Sequence, residues 1–245
     1  MNAPPSGVWP VGYGLKAFEE LDSTNAEARR LAGAGETGPL WISAAHQSAG
    51  RGRRGRAWDS GAGNLAATLL IRPRRPLAEW PQLSFAAAIA AADMAAHFAP
   101  QSHVAVKWPN DVLGDGRKLA GILLETAGEM LVIGIGVNLA ACPEGIEFPA
   151  ISLAALGTKP PPPSEALALL ATGFAGWYEV WQTSGFDPIR DAWLARAAGL
   201  GQRIRARLAN RELSGVFEGI DGDGALLLNE AGRTRAIAAG DVFFG

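Results

Sequence analysis

A run of seven residues, 50–56, limits how this chain can fold because it interrupts the apolar segments on both sides. The run holds four arginines and three glycines, and Trp58 follows it closely. Glycine adopts backbone conformations that other residues avoid, so the run predicts a mobile loop rather than a helix or strand. Each arginine carries a planar fork of donors that suits phosphate and carboxylate groups. We therefore expect a loop that closes over an anion.

Two familiar glycine-rich motifs match this run poorly. The dinucleotide-binding pattern G-x-G-x-x-G must be followed by a helix, and residues 57–61 break any helical pattern. A P-loop requires Lys and Ser/Thr where this chain has Arg56 and Ala57. Nucleic-acid binding, with Trp58 stacked on a base, stays open for the run alone. The formal net charge of −2 weighs against it, because domains that bind nucleic acid are usually basic.

The overall composition is that of a globular protein. Its 245 residues suffice for one large domain, or for one domain with a small second one. The single cysteine, Cys142, excludes an intramolecular disulfide and a cysteine-rich zinc site. The three histidines lack metal-ligand spacing, so no dedicated metal site is expected. No signal peptide or bilayer-length apolar segment is recognisable, so we expect a cytoplasmic protein that does not enter a membrane.

Apolar periodicity predicts an α/β domain over residues 15–199, after a flexible tail over residues 1–14. Strands are expected at 15–21, 41–45, 64–71 and 104–106, and a hairpin at 118–125 and 130–139. Helices are expected from 24 to about 33–35, at 83–98, from 164 to about 181, and at 188–198. Thr24 and Glu27 fit a capping box for the first helix, and Ser164 is expected to cap the third.

The residues after 200 have a different pattern, with short apolar segments separated by turns. Four strands are expected, at 204–208, 212–220, 225–228 and 234–238, and the last apolar residues are 241–245. Several short strands within about 45 residues predict a small β-barrel, with a domain boundary near 199–201.

Polar residues also occur where predicted strands end. Residues 107–111, Lys-Trp-Pro-Asn-Asp, follow a short strand that the proline must stop. Sheets of this type bind ligands at strand ends, although Asn-Asp is equally ordinary in a turn. Lys118 begins an apolar strand, either at a solvent edge or within reach of a phosphate. Gly134 and Gly136 inside one strand indicate close approach by another group, and Asn138 ends that strand with an amide able to read a base.

The segment Ser23-Thr24-Asn25 has two interpretations. Its side chains either cap the first helix or bind a polar ligand beside the free N–H groups of that helix. The segment alone favours the cap.

Taken together and in this order, the segments resemble the biotin protein ligase family from about residue 15 to the C-terminus. They are residues 23–25, 47–58, 107–111, 118–125 and 134–138. The resemblance implies an α/β (α+β) fold: a class II synthetase-like catalytic domain with a mixed sheet and flanking helices over 15–199, and a small SH3-like β-barrel over 200–245. Some family members carry an N-terminal winged-helix domain that binds DNA. About 15 residues precede the first strand here, so we expect the monofunctional form without that domain.

The resemblance also implies a two-step reaction. Biotin and ATP form biotinyl-5′-AMP and pyrophosphate, and a lysine of a biotin carboxyl carrier domain then attacks this mixed anhydride. The implied partner is the carrier domain of a biotin-dependent carboxylase, and no nucleic-acid partner is expected. Mg²⁺ is expected with ATP, without an all-protein cage. A homodimer is a further expectation.

Residue roles follow from the same resemblance. The implied biotin-binding residues are Ser23, Thr24, Asn25, Gln47, Arg51, Gly52, Arg53 and Lys118. The implied ATP-binding residues are Arg51, Arg53, Trp58, Lys107, Asn110, Lys118 and Asn138. The implied catalytic residues are Arg51, Arg53, Lys118 and Asp111. Arg51 and Lys118 would contact the carboxylate and the α-phosphate, Arg53 would retain the adenylate, and Asp111 would help receive a proton. Trp58 would pack on adenine, whereas Arg54 and Arg56 have no implied role.

Two other functions stay open. Lipoate ligases share this fold and the adenylate chemistry, so competition between biotin and lipoate for binding would distinguish them. A nucleic-acid-binding module would instead show steeply salt-dependent affinity for DNA or RNA.

Overall fold

A computed structural model describes residues 9–144 and 148–244, whose strands form two sheets. The first sheet contains β1 (Gly14–Leu21), β2 (Leu40–Gln47), β3 (Leu65–Ile71), β4 (Val104–Lys107), β5 (Asp111–Gly114), β6 (Arg117–Ala127) and β7 (Met130–Val137). The α-helices are α1 (Thr24–Gly33), α2 (Leu83–Phe98), α3 (Pro163–Ser184) and α4 (Asp187–Leu194). The second sheet contains β8 (Arg203–Arg207), β9 (Glu212–Ile220), β10 (Leu226–Glu230), β11 (Arg233–Ile237) and β12 (Asp241–Phe244).

The first sheet is mixed, as the sequence predicts. Its strand order is β1-β2-β3-β7-β6-β5-β4, and β1 and β2 are parallel while the other neighbours are antiparallel. Successive side chains of a strand face opposite sides, so one strand supplies two cores. Leu69 packs into the larger core with α2 and α3, whereas Leu70 packs into the smaller core under α1. The flanking helices therefore cover both faces of the sheet.

Helix α2 has the predicted bounds, and its alanines explain its position. Ten of its sixteen residues are apolar and at most 3% exposed, because the helix lies between the sheet, α3 and α4. Small side chains permit close approach: a Cβ added at Gly173 of α3 would lie 3.5 Å from the Cβ of Ala90. Close packing of this kind makes the helix a rigid support for the sheet.

Both predicted helix caps are wrong. Ser23 occupies the N-cap of α1 without a capping side-chain hydrogen bond, and Thr24 Oγ1 donates to Gln47 of β2 instead. Glu27 accepts from Arg30 and so does not complete a capping box. Helix α3 begins one residue before Ser164, at Pro163, which suits the first helical position because proline has no N–H to leave unpaired.

Helix α4 ends earlier than predicted because the following residues pair with β4. The N–H of Val106 donates to Arg196 O at 3.0 Å, and the N–H of Ala198 donates to Val106 O at 2.8 Å. Strand β5 was also missed, because no strand was predicted between residues 107 and 117. It is only four residues long, too short for its alternation to be recognised.

The second sheet is antiparallel, in the order β11-β10-β9-β8-β12, and contains the four predicted strands together with β12. Its inner side continues the larger core: Phe217 lies edge-on to Trp193 of α4, with ring centroids 6.5 Å apart. Trp108 Nε1 donates to Gly224 O at 3.0 Å. These contacts bring the second sheet against the 107–111 segment.

The predicted N-terminal tail is only partly within the described residues, since residues 1–8 lie outside them. Trp9 Nε1 donates to Tyr13 O at 2.8 Å, and both side chains pack against the larger core. No helix in the described ranges is both long and apolar enough to cross a bilayer.

We expect Phe174→Ala to lower the free energy of unfolding by about 3–5 kcal/mol, because it empties a core position. Phe174 is fully buried on α3, and its ring lies 6.3 Å from that of Trp41, edge to face. Equilibrium urea denaturation measures the loss. Leu169→Ala is the matched control on the same helix, since Leu169 is 37% exposed. Equal losses in the two variants would contradict this packing.

Candidate active site

A cavity of about 560 Å³ opens between the first sheet, the start of α1, the 50–58 loop and β12. Every residue that the sequence predicts for the site lies on its wall, although these residues are far apart in the chain. They are Ser23, Thr24, Asn25, Gln47, Arg51, Gly52, Arg53, Trp58, Lys107, Asn110, Asp111, Lys118 and Asn138. A cavity of this size accommodates an ordinary small-molecule ligand.

A chain of hydrogen bonds holds the polar groups at the start of α1. Gln47 Oε1 accepts from Thr24 N at 2.8 Å and from Thr24 Oγ1 at 3.1 Å. Gln47 Nε2 donates to Ser60 Oγ at 2.9 Å. Both ends of the Gln47 amide are therefore engaged, which fixes its orientation beside the cavity.

Thr68 and Glu125 complete this chain, and neither residue has a role implied by the sequence. The buried Thr68 hydroxyl lies 2.8 Å from Thr24 Oγ1 and 2.7 Å from Asn25 Oδ1, and its single proton serves one of them. Asn25 Nδ2 donates to Glu125 Oε2 at 2.8 Å. The one hydroxyl within the otherwise apolar strand β3 was the available signal for Thr68. Together these contacts orient the Asn25 amide.

The two strand glycines of β7 have the close neighbours that the sequence predicts. A Cβ added at Gly134 would lie 2.1 Å from Asn25 Oδ1, and a Cβ added at Gly136 would lie 2.3 Å from the Trp58 ring. Gly121 of β6 also lies beneath Trp58: a Cβ added at Gly121 would lie 3.2 Å from the Trp58 ring. The glycines therefore form a floor on which Asn25 and Trp58 rest.

Lys118 reaches into the cavity from the start of β6. Its Nζ lies 2.7 Å from Asp111 Oδ1 and 5.6 Å from the centre of the Trp58 ring. The ion pair joins the neighbouring strands β5 and β6, and both side chains are largely shielded from solvent. Lys118 thus places a positive charge next to a carboxylate and an indole.

Lys107 is the more buried of the two lysines, at 6% exposed. Its ammonium lies 4.1 Å from the centre of the Phe148 ring and 5.7 Å from that of Phe244, within cation–π range. Burial lowers the pKa of Lys107, although the charge of Asp111 opposes the shift. A buried ammonium surrounded by aromatic rings is stabilised by a nearby anion, so this residue favours a negatively charged ligand.

The 50–58 segment is a loop, as predicted, with one short 3₁₀ turn at Arg53–Gly55. Gly52 N donates to Arg56 O at 2.8 Å, and Trp58 N donates to Gly50 O at 3.0 Å, so the loop folds back on itself. We call this segment the arginine loop.

The four arginines of the arginine loop have different partners. Arg51 Nη2 lies 3.9 Å from Glu125 Oε1, and Arg53 Nη1 donates to Asn110 Oδ1 at 3.1 Å. Burial lowers the pKa of Arg53, but Asp241 and Asp111 oppose this. Arg54 and Arg56, in contrast, both donate to a carboxylate of the second sheet. Arg51, Arg53 and Arg56 line the cavity, whereas Arg54 does not.

Asn138 carries an unfilled acceptor. Its Nδ2 donates to Ile151 O at 3.1 Å, whereas its buried Oδ1 has no hydrogen-bond partner among the described residues. A buried amide oxygen without a partner is costly, so a donor from a ligand is expected to fill it.

The carboxylates of the site do not gather into a metal cage. Within residues 9–144 and 148–244, no group of three His, Cys, Asp or Glu side chains is placed to hold a metal ion. Asp111 and Asp241 each contact basic side chains instead. The cavity wall is arranged for an anionic ligand.

Comparisons with known proteins agree with this arrangement. Residues 18–138 match the biotin/lipoate A/B protein ligase family, and residues 199–245 match the biotin protein ligase C-terminal domain. The chain is 48% identical over 235 residues to the biotin–[acetyl-CoA-carboxylase] ligase of Paracoccus denitrificans, covering 91% of this chain and 98% of that protein. It is 36% identical over 235 residues to the biotin–[acetyl-CoA-carboxylase] ligase of Mycobacterium tuberculosis, covering 93% of this chain and 88% of that protein.

The fold has similar solved structures. The biotin protein ligase from Aquifex aeolicus, in complex with biotin and ATP, superposes with a TM-score of 0.83 at 24% identity. The alignment covers 94% of this chain and 97% of that chain.

We expect Gly136→Ala to displace Trp58 from the cavity floor, because the new methyl group would lie within 2.6 Å of three indole atoms. The Trp58 fluorescence, obtained by subtracting the spectrum of the matching Trp58→Phe variant, should then be more readily quenched by acrylamide. Gly61→Ala is the control, since its Cβ would be 3.7 Å from its nearest neighbour. Unchanged quenching in Gly136→Ala would refute the contact.

Proposed function

The chain belongs to the biotin protein ligase family, and we propose that it activates biotin with ATP and transfers the biotinyl group to a lysine of a carrier domain. The observation that supports this most strongly is the single cavity that gathers all thirteen residues implied for such a site. The activity is ligation: ATP is consumed, and an amide bond forms between biotin and a protein lysine.

Two anions must meet in the first step. A carboxylate oxygen of biotin attacks the α-phosphorus of ATP, the bond from that phosphorus to the departing pyrophosphate breaks, and biotinyl-5′-AMP remains. Cationic groups placed beforehand offset the repulsion and stabilise the charge that develops on the phosphate. We assign this role to Arg51, Arg53 and Lys118, which approach the cavity from the arginine loop and from β6. Lys107 adds a buried positive charge for the triphosphate.

The second step consumes the adenylate. The acceptor lysine attacks the carbonyl carbon, AMP leaves, and the nitrogen gives up a proton. Asp111 is the proposed acceptor of that proton, because its carboxylate lines the cavity and is held by Lys118 at 2.7 Å.

The polar chain at the start of α1 suits the head group of biotin. A ureido ring has two N–H donors and one carbonyl acceptor, and Ser23, Thr24, Asn25 and Gln47 offer both kinds of partner at the cavity wall. This assignment replaces the capping role that the segment alone favours, since no side-chain cap forms there.

Adenine binding is assigned to Trp58 and Asn138. The free Oδ1 of Asn138 would accept from the amino group of adenine, and the Trp58 ring would pack against the base. Asn110 holds Arg53 at 3.1 Å, so it supports the nucleotide through that arginine.

The structure favours biotin over the two alternative ligands. The dithiolane ring of lipoate has no N–H or C=O groups, so it could form no hydrogen bonds with the polar groups around Thr24 and Asn25. A nucleic-acid module would need its arginines free for phosphates, whereas Arg54 and Arg56 are bound to Asp241.

The partner is proposed to be a biotin carboxyl carrier domain of a biotin-dependent carboxylase, and the location the ATP-containing cytoplasm. We assign the catalytic domain to residues 15–199 and the SH3-like domain to residues 200–245. We also propose a homodimer, as the family resemblance implies.

The reaction is tested by incubating the protein with MgATP, biotin and a carrier domain, and by measuring pyrophosphate release and carrier labelling. We expect Lys118→Met to slow adenylate formation by roughly 100-fold, the factor typical of one preorganised electrostatic group. Lys16→Met, at an exposed lysine of β1 beside Glu36, should leave the rate unchanged. Absence of both biotin-dependent signals in the unaltered protein would eliminate the proposed function.

We expect Arg53→Gly to release biotinyl-5′-AMP from the cavity, because the guanidinium that faces it is lost. The free adenylate should biotinylate lysines of a bystander protein such as serum albumin, as detected with streptavidin. Arg72→Gly is the control, since Arg72 pairs with Glu129 on the surface. If Arg53→Gly labels albumin no more than the control, Arg53 does not retain the adenylate.

A further inference from the structure

We propose that Asp241, on β12 of the second sheet, is a positioning residue that holds the arginine loop over the cavity through Arg54 and Arg56. The inference rests on the proposed function and deepens it by giving roles to two arginines and one aspartate that it leaves unused. The loop would then be closed by the C-terminal sheet, about 190 residues further along the chain.

One carboxylate oxygen makes both contacts. Asp241 Oδ2 accepts from Arg54 Nη1 at 2.9 Å and from Arg56 Nη2 at 2.7 Å. The Asp241 side chain is 12% exposed, whereas those of Arg54 and Arg56 are 40% and 49% exposed. Fully exposed ion pairs contribute little to stability. A carboxylate that is largely shielded from solvent depends more on its basic partners, because removing them leaves its charge unpaired. Because one oxygen of Asp241 holds both arginines, replacing Asp241 releases both from the second sheet at once.

The charge state of Asp241 agrees with this arrangement. Burial acts to raise its pKa, but the hydrogen bond from Arg56 and the charges of Arg56, Arg54 and Arg53 outweigh burial and lower the pKa. The group is thus ionised at neutral pH and stays paired with the loop.

The two sides of the contact differ in how firmly they are held. Asp241 pairs with Arg207 in the β12–β8 ladder, and its neighbour Val242 is buried in the core. A Cβ at Gly240 would lie 3.0 Å from Arg207 O, so the chain just before Asp241 also packs closely on β8. The arginine loop, in contrast, is closed by few backbone hydrogen bonds. A firmly held strand therefore positions a weakly held loop.

Arg54 has a backbone conformation that needs such support. Its φ of 56° lies in the left-handed region, which is uncommon for a residue other than glycine. A conformation of this kind persists when surrounding contacts favour it, and the ion pair with Asp241 is such a contact.

The four arginines of the loop therefore form two pairs with different roles in the reaction. With Arg54 and Arg56 bound to Asp241, the loop presents Arg51 and Arg53 to the adenylate and covers it. Without Asp241 the loop should open more often, so that ATP binds less tightly and the adenylate escapes before the acceptor arrives.

The first test measures loop opening without using activity. Hydrogen exchange of the amides in residues 50–58 should be roughly tenfold faster in Asp241→Asn than in the unaltered protein, the factor expected for one charged hydrogen bond of ordinary strength. Asp241→Glu should restore most of the protection. Glu230→Gln is the matched control, because it removes a carboxylate that pairs with Arg235 at 3.0 Å within the same sheet. Equal exchange in Asp241→Asn and Glu230→Gln would overturn the proposal.

The second test covers the case in which Asp241→Asn fails to fold. Arg54→Gln/Arg56→Gln changes only exposed side chains of the loop and should give the same faster exchange.

Both sets of variants should raise the KM for ATP and the labelling of bystander lysines, with a smaller effect on kcat under saturating ATP. In a double-mutant cycle their effects should not add, because both remove one contact. Additive effects, or a loss of kcat alone, would contradict a positioning role. Since exchange is measured without substrates, failure of the ligase reaction itself would be recognised separately.

Discussion

Mutual repulsion among positive charges is the constraint around which this site is built. Arg51, Arg53, Lys107 and Lys118 line one cavity, where a substrate of two joined anions must be held. Like charges gathered in this way destabilise a protein unless each is compensated. Three carboxylates from different strands provide the compensation: Glu125 lies near Arg51, Asp111 pairs with Lys118, and Asp241 holds the outer arginines of the loop. The site therefore keeps its cations in place before any ligand binds.

The strands of the first sheet determine where the side chains of the site lie. The end of β4 supplies Lys107, and the starts of β5 and β6 supply Asp111 and Lys118. Two glycines of β7 admit Asn25 and Trp58 against the backbone. The polar chain around Thr24 ties the start of α1 to β2 and β3, which supplies a second, uncharged region of the same cavity. A charged region beside an uncharged hydrogen-bonding region matches a substrate with a phosphate at one end and a ureido ring at the other.

Much of the fold could be predicted because its elements are long and strongly periodic. Helix α2 agrees at both ends, since its alanine-rich stretch is apolar on most faces and contains no glycine or proline before Phe98. The errors lie where tertiary contacts compete with local ones. The Thr24 hydroxyl binds Gln47 rather than its own helix, and α4 stops early because residues 196–198 pair with β4. Strand β5 was missed because four residues show too little alternation, and it forms because β4 and β6 provide partners on both sides.

The residue types and their order were sufficient to predict the family, the reaction and the thirteen residues of the cavity wall. These predictions were possible because the anion-binding and strand-ending motifs are local. The tertiary structure alone decided which groups support them. Glu125 and Asp241 are common residues in ordinary strands, and the local signal for Thr68 is only that it is the one hydroxyl in an otherwise apolar strand. Their importance arises from contacts across 43, 100 and more than 180 residues. The first two exist only once α1 has packed on the first sheet, and the third only once the second sheet lies beside the arginine loop. Local motifs can specify which atoms meet a ligand, whereas only packing specifies what keeps those atoms in place.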